Sequence, residues 1–374
     1  MSQVFAVGRG QYDNIGDIVL RRQLLDWVRP AGELHVYVGE SPAGYDDGLR
    51  LAPTDRVYRS FRAWYRAALD AALAGEGRYV FKPGEIQLTL PGMKEHLSVL
   101  PLLATLRARG GRAVRAGVGT RNYAPLPRAL MRPSIALSDL TLWRDVSTGA
   151  YMGSGGVMPD LAFGEGAPDE EVAGFAAPAP DRDVLVVSMR SDGVTRPWPS
   201  DAWVEGVRRH AAAHGLTPWA VTQVRDDEAC TRRLAEQLGG EALTWAPETP
   251  HDVQEDRLRA LYRRTSIVVS DRLHVVIAAY TEGALPAGAT TRPSDKVARH
   301  LRTIGINDVT LDAGDTTADD VSRRLDEISR RRPELTARLL EARATLRRHR
   351  DQVRRVLGMP TSAAVYDLEE RLAG

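Results

Sequence analysis

The sequence predicts an α/β protein of two parallel-sheet halves facing a cleft, with a helical C-terminal tail. Three observations predict this. Short β-branched runs alternate with helix-length amphipathic segments through both halves, the pattern of a mostly parallel sheet covered by helices. The alternation breaks once, at residues 166–182, where Ala177-Pro178-Ala179-Pro180 and several acidic residues have the composition of a semi-rigid linker. A chain of 374 residues is long enough for two separate cores. The halves therefore read as Rossmann-like domains over 1–165 and 183–332. Residues 333–374 form an arginine- and leucine-rich helical tail.

Each element has its own signal. Residues 4–7 are a short apolar run and read as the first strand. Residues 18–28 place Leu20, Leu24, Leu25 and Val28 on one helical face. Strands are expected at 35–38, 79–81, 113–116 and 140–143, with helices at 61–73 and 97–109. After the linker the pattern restarts with a strand at 184–187, a helix at 202–213 and a strand at 218–222. Helices at 227–238 and 256–264 follow, then a strand at 267–269 and a helix at 274–282. Strands at 285–289 and 309–311 and helices at 296–304 and 321–328 complete the second half.

Composition narrows the function. Hydrophobic residues are 43% and charged residues 26% of the chain, ordinary for a globular protein. A formal net charge of +1 gives no global field to recruit nucleic acid, and the basic runs of the tail are interleaved with Glu341, Asp351 and Glu369. No apolar run reaches the ~18 residues of a membrane span, and the first residues lack a signal-peptide pattern. The one cysteine, Cys230, excludes an internal disulfide and a cysteine-rich metal site. A cytoplasmic location fits these features. Of 50 basic residues only Lys82, Lys94 and Lys296 are lysines, so each marks a place where a compact ammonium could matter.

The strongest motif is Ser270-Asp271-Arg272-Leu273-His274, set where the run Ile267-Val268-Val269 gives way to an apolar helix. Strand ends that feed helix starts are where open α/β sheets bind ligands, and helix N-termini attract anions. Arg272 and His274 planted there point to a phosphorylated or carboxylated small molecule. Arg190 closes the first strand of the second half in Val187-Ser188-Met189-Arg190, and Lys296 opens the helix after Ser294-Asp295. An unpaired guanidinium is costly to bury, so Arg190 is expected to face a ligand.

The first half carries weaker signals. Tyr12-Asp13-Asn14-Ile15-Gly16-Asp17 joins the first strand and helix. Asn14 and Asp17 suit turns and caps, and Asp17 is a candidate base or hydroxyl holder. Lys82-Pro83-Gly84-Glu85 follows a strand; it is either a turn or a cleft lining in which burial could make Glu85 a general base. Gly117-Val118-Gly119 lacks the dinucleotide spacing, and no Walker loop is present. Arg144 and Asp145 read either as an ion pair with each other or as ligand-facing. No paired carboxylates or histidine cluster reads as a metal site, so neither a metal nor another cofactor is expected.

In series these motifs resemble the polysaccharide pyruvyl transferase family. The shared pattern runs from Asn14-Ile15-Gly16-Asp17 through Gly117-Val118-Gly119, Arg144-Asp145-Val146-Ser147 and Pro159-Asp160-Leu161-Ala162-Phe163. It continues through Ser188-Met189-Arg190 and Ser270-Asp271-Arg272-Leu273-His274 to Lys296-Val297 before Leu301 to Ile306. The resemblance implies a GT-B-like fold, phosphoenolpyruvate as donor, and a pyruvate ketal formed across two hydroxyls of a saccharide or saccharide precursor, as in exopolysaccharide biosynthesis. It implies donor contacts from Arg190, Arg272, His274 and Lys296; His274 and Arg272 are expected to be catalytic, together with Asp17 from the reading of the first motif. Asn14, Lys82, Glu85, Arg144 and Ser270 join the substrate-binding set. Lys82-Pro83-Gly84-Glu85 stands where the family commonly has a glycine run. The alternatives are a nucleotide-sugar glycosyltransferase of the same fold and a non-catalytic glycan-binding relative. The acceptor, its attachment to a lipid that would bring the protein to a membrane, and assembly into a homo-oligomer are open at this level.

Overall fold

A computed structural model describes residues 2–177, 179–192, 195–291 and 296–359. By its internal contacts the chain divides into two compact units. One comprises the chain up to Tyr12, Asp17–Leu161 and the chain from Ala344; the other comprises Asp13–Gly16 and Ala162–Arg343.

The first unit contains β1 (Gln3–Val7), α1 (Ile15–Val28), β2 (Glu33–Tyr37), α2 (Tyr45–Gly48), β3 (Arg56–Tyr58), α3 (Phe61–Leu73), β4 (Gly77–Val80) and β5 (Gly84–Ile86). Then come α4 (Leu90–Ser98), α5 (Leu100–Ala108), β6 (Arg112–Thr120), α6 (Pro125–Ala136), β7 (Leu140–Trp143), α7 (Val146–Met152) and β8 (Gly156–Val157). The strand order is β3-β2-β1-β4-β6-β7-β8, with β5 also paired to β6, and every pair is parallel. Central strands of such a sheet are covered on both faces and so read as continuous apolar runs. Phe5, Trp64, Tyr79, Phe81, Leu102 and Leu103 pack together as one core. Arg115 is buried over the Phe81 ring, 3.6 Å from its centroid, and donates to Ser134 Oγ at 3.0 Å and His96 Nδ1 at 3.4 Å. Burial, with Arg115 beside it, pushes the His96 pKa down to about 3, so the imidazole stays neutral and its Nδ1 accepts.

The second unit holds α8 (Asp169–Gly174), β9 (Val184–Ser188), α9 (Asp201–Ala213), β10 (Thr217–Val221), α10 (Glu228–Leu238), β11 (Glu241–Leu243) and α11 (His251–Arg263). It continues with β12 (Thr265–Ser270), α12 (Leu273–Thr281), β13 (Leu285–Thr290), α13 (Lys296–Thr303), β14 (Thr310–Asp312), α14 (Ala318–Arg330) and the first part of α15 (Arg332–Val356). The parallel order β11-β10-β9-β12-β13-β14 is that of a dinucleotide-type doubly wound sheet. Its direction of growth reverses between β9 and β12, which lie side by side, and the carboxyl ends of strands at such a reversal are where open α/β sheets bind ligands.

Several local details differ from expectation. The helix expected from 18 begins at Ile15, because the Asn14 side chain accepts the Gly16 N–H at 3.0 Å and caps it. Helices α4 and α6 were hidden by Pro91 and by Pro125 and Pro127, which read as breakers but sit in first turns, where a missing N–H costs nothing. The strands β3, β5, β8 and β11 are too short for a period to show. Residues 166–182, expected as a linker, include α8 and are tied into the second unit. Ala167 N donates to Thr281 O at 3.1 Å, and Arg343 donates to Phe163 O at 2.9 Å and Asp169 at 3.0 Å. The tail is helical through Val356, and Ser294 and Asp295 lie outside the described residues. Among those residues no helix is long and apolar enough to cross a membrane.

A buried ion network pins the C-terminal end of α12. Arg259 donates to Glu255 at 2.7 Å and to Glu282 at 2.8 Å and lies 3.5 Å from Glu165. Glu282 is fully buried. Arg259→Ala removes the guanidinium shared by three carboxylates, with Arg263 still 3.3 Å from Glu282, and is expected to destabilise the protein by about 3–5 kcal/mol in urea unfolding. A loss below about 1 kcal/mol would contradict this reading.

Candidate functional site

The second unit gathers a cationic site where its sheet reverses. Arg190 lies just past β9 and Arg272 just past β12. Ser270 is fully buried. Its hydroxyl donates to Ser188 O at 2.6 Å and accepts the Arg272 N–H at 2.9 Å. Ser270 was expected to touch substrate; instead both hydroxyl interactions go to backbone, and its role is to join the two strand ends and set the turn into α12.

Neither arginine pairs with the other. Arg190 is held by Asp271: its Nε donates to Oδ2 at 2.8 Å, its N–H to Oδ1 at 3.1 Å and its Nη2 to the Asp271 carbonyl at 3.1 Å. Arg272 makes a two-pronged contact with Asp227, at 2.7 Å through Nε and 2.6 Å through Nη2. Among the described residues, Nη1 of each guanidinium makes no hydrogen bond, so both forks are fixed in place with donors to spare. Burial pushes the Asp271 carboxyl up, against the opposing pull of Arg190 and Arg272. Arg196 lies in the same field: the charge of Arg190 is the first cause of its lowered pKa, and partial burial the second. Three guanidiniums, Arg190, Arg196 and Arg272, thus share one field with the carboxylates that anchor them.

His274 is the second residue of α12, directly behind Arg272. Against it lies the Asp13–Gly16 segment, which belongs to this unit. Ile15 N donates to Gln223 O at 3.3 Å, Arg225 N to Asp13 O at 3.0 Å, and the Arg225 Nε to the Asp13 carboxylate at 3.0 Å. Gly16 sits so close that an added Cβ would lie 2.4 Å from His274 Cβ and 2.5 Å from Nδ1. Only a glycine lets the capped start of α1 rest on the imidazole. Asn14 is therefore a cap and a bridge to Val224 at this site. Lys296 opens α13 after β13 of the same sheet, and its carbonyl accepts from His300 Nδ1 at 2.7 Å.

The remaining expected residues belong to the first unit. Asp17 is in the first turn of α1, accepts the Gln11 N–H at 3.1 Å and lies 3.3 Å from Arg21. Lys82 pairs with Glu95 at 3.0 Å. Glu85 is not left to act through burial alone: Arg121 lies at 3.0 Å and Arg144 at 3.6 Å. Arg144 is buried, and of its two readings the ion pair with Asp145 is not formed. Asp145 instead caps α7, accepting Thr148 N–H at 2.8 Å and its hydroxyl at 2.7 Å, while Arg144 donates to Asp160 at 3.3 Å. The two segments around Arg144 and Asp160 are thereby joined. Sequence reasoning missed Asp227, Arg196 and Arg225; an acid at a helix start and arginines in loops have sufficient local explanations.

A sequence model of the family described as polysaccharide pyruvyl transferase matches residues 14–284. The chain belongs to this family. No curated protein matches it. Among solved structures it is similar to a glycosyltransferase from Rickettsia africae, at 11% identity and TM-score 0.55 over 95% of this chain and 98% of that one. It is also similar to S. aureus MnaA solved with UDP, at 10% identity and TM-score 0.54 over 96% and 98%. Phytolacca americana UGT2 matches at 10% identity and TM-score 0.50 over 92% and 94%. These likenesses show the fold, which is of GT-B type. The family match spans the cap at Asn14 and the Arg190, Arg272 and His274 cluster, so the pyruvyl transferase reading covers both parts of the second unit's site.

Proposed function

We propose that this member of the family moves pyruvate from phosphoenolpyruvate onto two hydroxyls of a saccharide, forming a ketal and releasing phosphate. The observation that supports this most is the pair of carboxylate-anchored arginines at adjacent strand ends, with His274 two residues after Arg272 at the start of α12. Phosphoenolpyruvate carries a carboxylate and a phosphate, and guanidinium forks suit both. Arg190, Arg272 and Lys296 are assigned to these oxyanions, aided by the N-terminus of α12. The first acceptor hydroxyl adds to C2 as His274 gives a proton to C3, which converts the methylene to the methyl group. The second hydroxyl then displaces phosphate from C2. Each hydroxyl loses one proton: one balances the proton gained at C3 and the other leaves with the phosphate. Arg272 and Lys296 stabilise the departing charge. Asp17, Lys82, Glu85 and Arg144 are assigned to the acceptor, of which Asp17 is the candidate base.

The test is a screen of saccharides, free and lipid-linked, for acceptor-dependent phosphate release from phosphoenolpyruvate. Release with at least one acceptor, together with a pyruvate adduct, is expected. Sugar transfer from a UDP-sugar without any reaction of phosphoenolpyruvate would favour a glycosyltransferase. Donor binding with no reaction for any acceptor would favour a non-catalytic protein.

Gly16→Ala is a sharper probe of His274. The new methyl group must push the imidazole aside, and misplacing a reacting group by about 1 Å can cost about 100-fold in rate. Phosphate release is expected to fall by about that factor while stabilisation by phosphoenolpyruvate persists. Unchanged turnover would contradict the placement of His274.

A further inference from the structure

Outside this site, two imidazoles and a carboxylate converge where α9 packs on α14. His210 is in the last turn of α9 and His214 is the residue that ends it. Their separation by four residues puts both rings on one side of the helix, 4.5 Å apart between centroids. Asp326 comes from α14, and its Oδ1 lies 2.7 Å from His210 Nδ1 and 2.8 Å from His214 Nε2. The three candidate ligand atoms all lie within 4.8 Å of one another.

The helices are held at this distance by packing. Gly206, one turn before His210, lies so close to α14 that an added Cβ would meet Ala318 O at 2.6 Å and Val321 Cβ at 2.6 Å. His210 is buried and Asp326 half-buried, whereas 45% of the His214 side chain is exposed. The group is therefore rigid on one side and open to solvent on the other. The neighbouring cation Arg209 is taken up by Glu205 at 2.9 Å and Asp319 at 2.7 Å.

We propose that His210, His214 and Asp326 bind a divalent transition-metal ion of the zinc class, which fastens α9 to α14. Imidazole and carboxylate ligands suit this class, and three protein ligands leave a fourth position for water. Zinc bonds of about 2.0–2.2 Å place tetrahedral ligand atoms roughly 3.4 Å apart, so the Asp326 oxygen withdraws slightly from the two imidazole nitrogens, which already lie within 4.8 Å of each other. In each neutral imidazole the proton that points at Asp326 moves to the other ring nitrogen as the metal takes its place.

The experiment is titration of the chelator-treated full chain with zinc, followed by calorimetry and thermal unfolding, with cobalt as a spectroscopic probe. One zinc per chain, a raised unfolding temperature and a tetrahedral cobalt absorption band are expected. His214→Ala and Asp326→Asn are each expected to weaken zinc binding at least about tenfold; both positions are solvent-accessible, and circular dichroism checks that the variants are folded. Absence of saturable zinc binding would overturn the proposal. So would a zinc affinity unchanged in both folded variants, which would place the metal elsewhere.

Discussion

Arg272→Ala is expected to abolish pyruvyl transfer and to remove the thermal stabilisation that phosphoenolpyruvate confers. The guanidinium uses two donors on Asp227 and has others left for a bound oxyanion. Hydrogen bonds to charged groups are worth about 1.5–3 kcal/mol each, so loss of a two-pronged donor contact weakens binding by about 100-fold or more. The variant also strands the Asp227 carboxylate, which is buried. Arg272→Lys separates the two effects. It keeps a cation beside Asp227 but cannot reproduce the planar fork. We expect Arg272→Lys to fold and to bind phosphoenolpyruvate far more weakly than the parent. Donor affinity equal to that of the parent would remove Arg272 from the donor site.

His274→Asn is expected to give the opposite pattern. The arginine forks and the start of α12 remain, so stabilisation by phosphoenolpyruvate persists. The group that delivers a proton to C3 is gone, and loss of a positioned general acid typically costs 10²–10⁴-fold. Phosphate release in single-turnover measurements should fall by that factor with donor binding nearly unchanged. A fall in donor affinity alone, with the rate at saturation preserved, would make His274 a binding residue and leave the proton source elsewhere. Together the two variants divide the site into a part that holds the donor and a part that acts on it.

Much of this was legible in the sequence because the strands are nearly pure apolar runs. Val184–Ser188 and Thr265–Ser270 are buried on both faces, and parallel sheets mark themselves in this way. Arg190, Arg272 and His274 stood out because charge directly after such a run has few structural uses. What the sequence could not show is how each charge is held. Asp227 is 45 residues from Arg272 and Asp13 is 212 residues from Arg225, and nothing local connects them. Ser270 stood in the substrate-binding set as part of its motif, and the Ser188 carbonyl and the Arg272 N–H that hold its hydroxyl come into view only in the fold. Arg144 and Asp145 are adjacent in sequence, and adjacency suggested a pair. The backbone turns them to different tasks, one to Asp160 and the other to the cap of α7. The sequence reading found no histidine cluster, because the carboxylate that joins His210 and His214 arrives from α14, more than a hundred residues later.

Thermal unfolding of the intact chain with phosphoenolpyruvate or with a UDP-sugar tests the central claim most directly, because a ligand that binds only the folded state raises its stability by mass action. The account predicts a dose-dependent rise with phosphoenolpyruvate and none with the UDP-sugar. A rise with the UDP-sugar and none with phosphoenolpyruvate would contradict it.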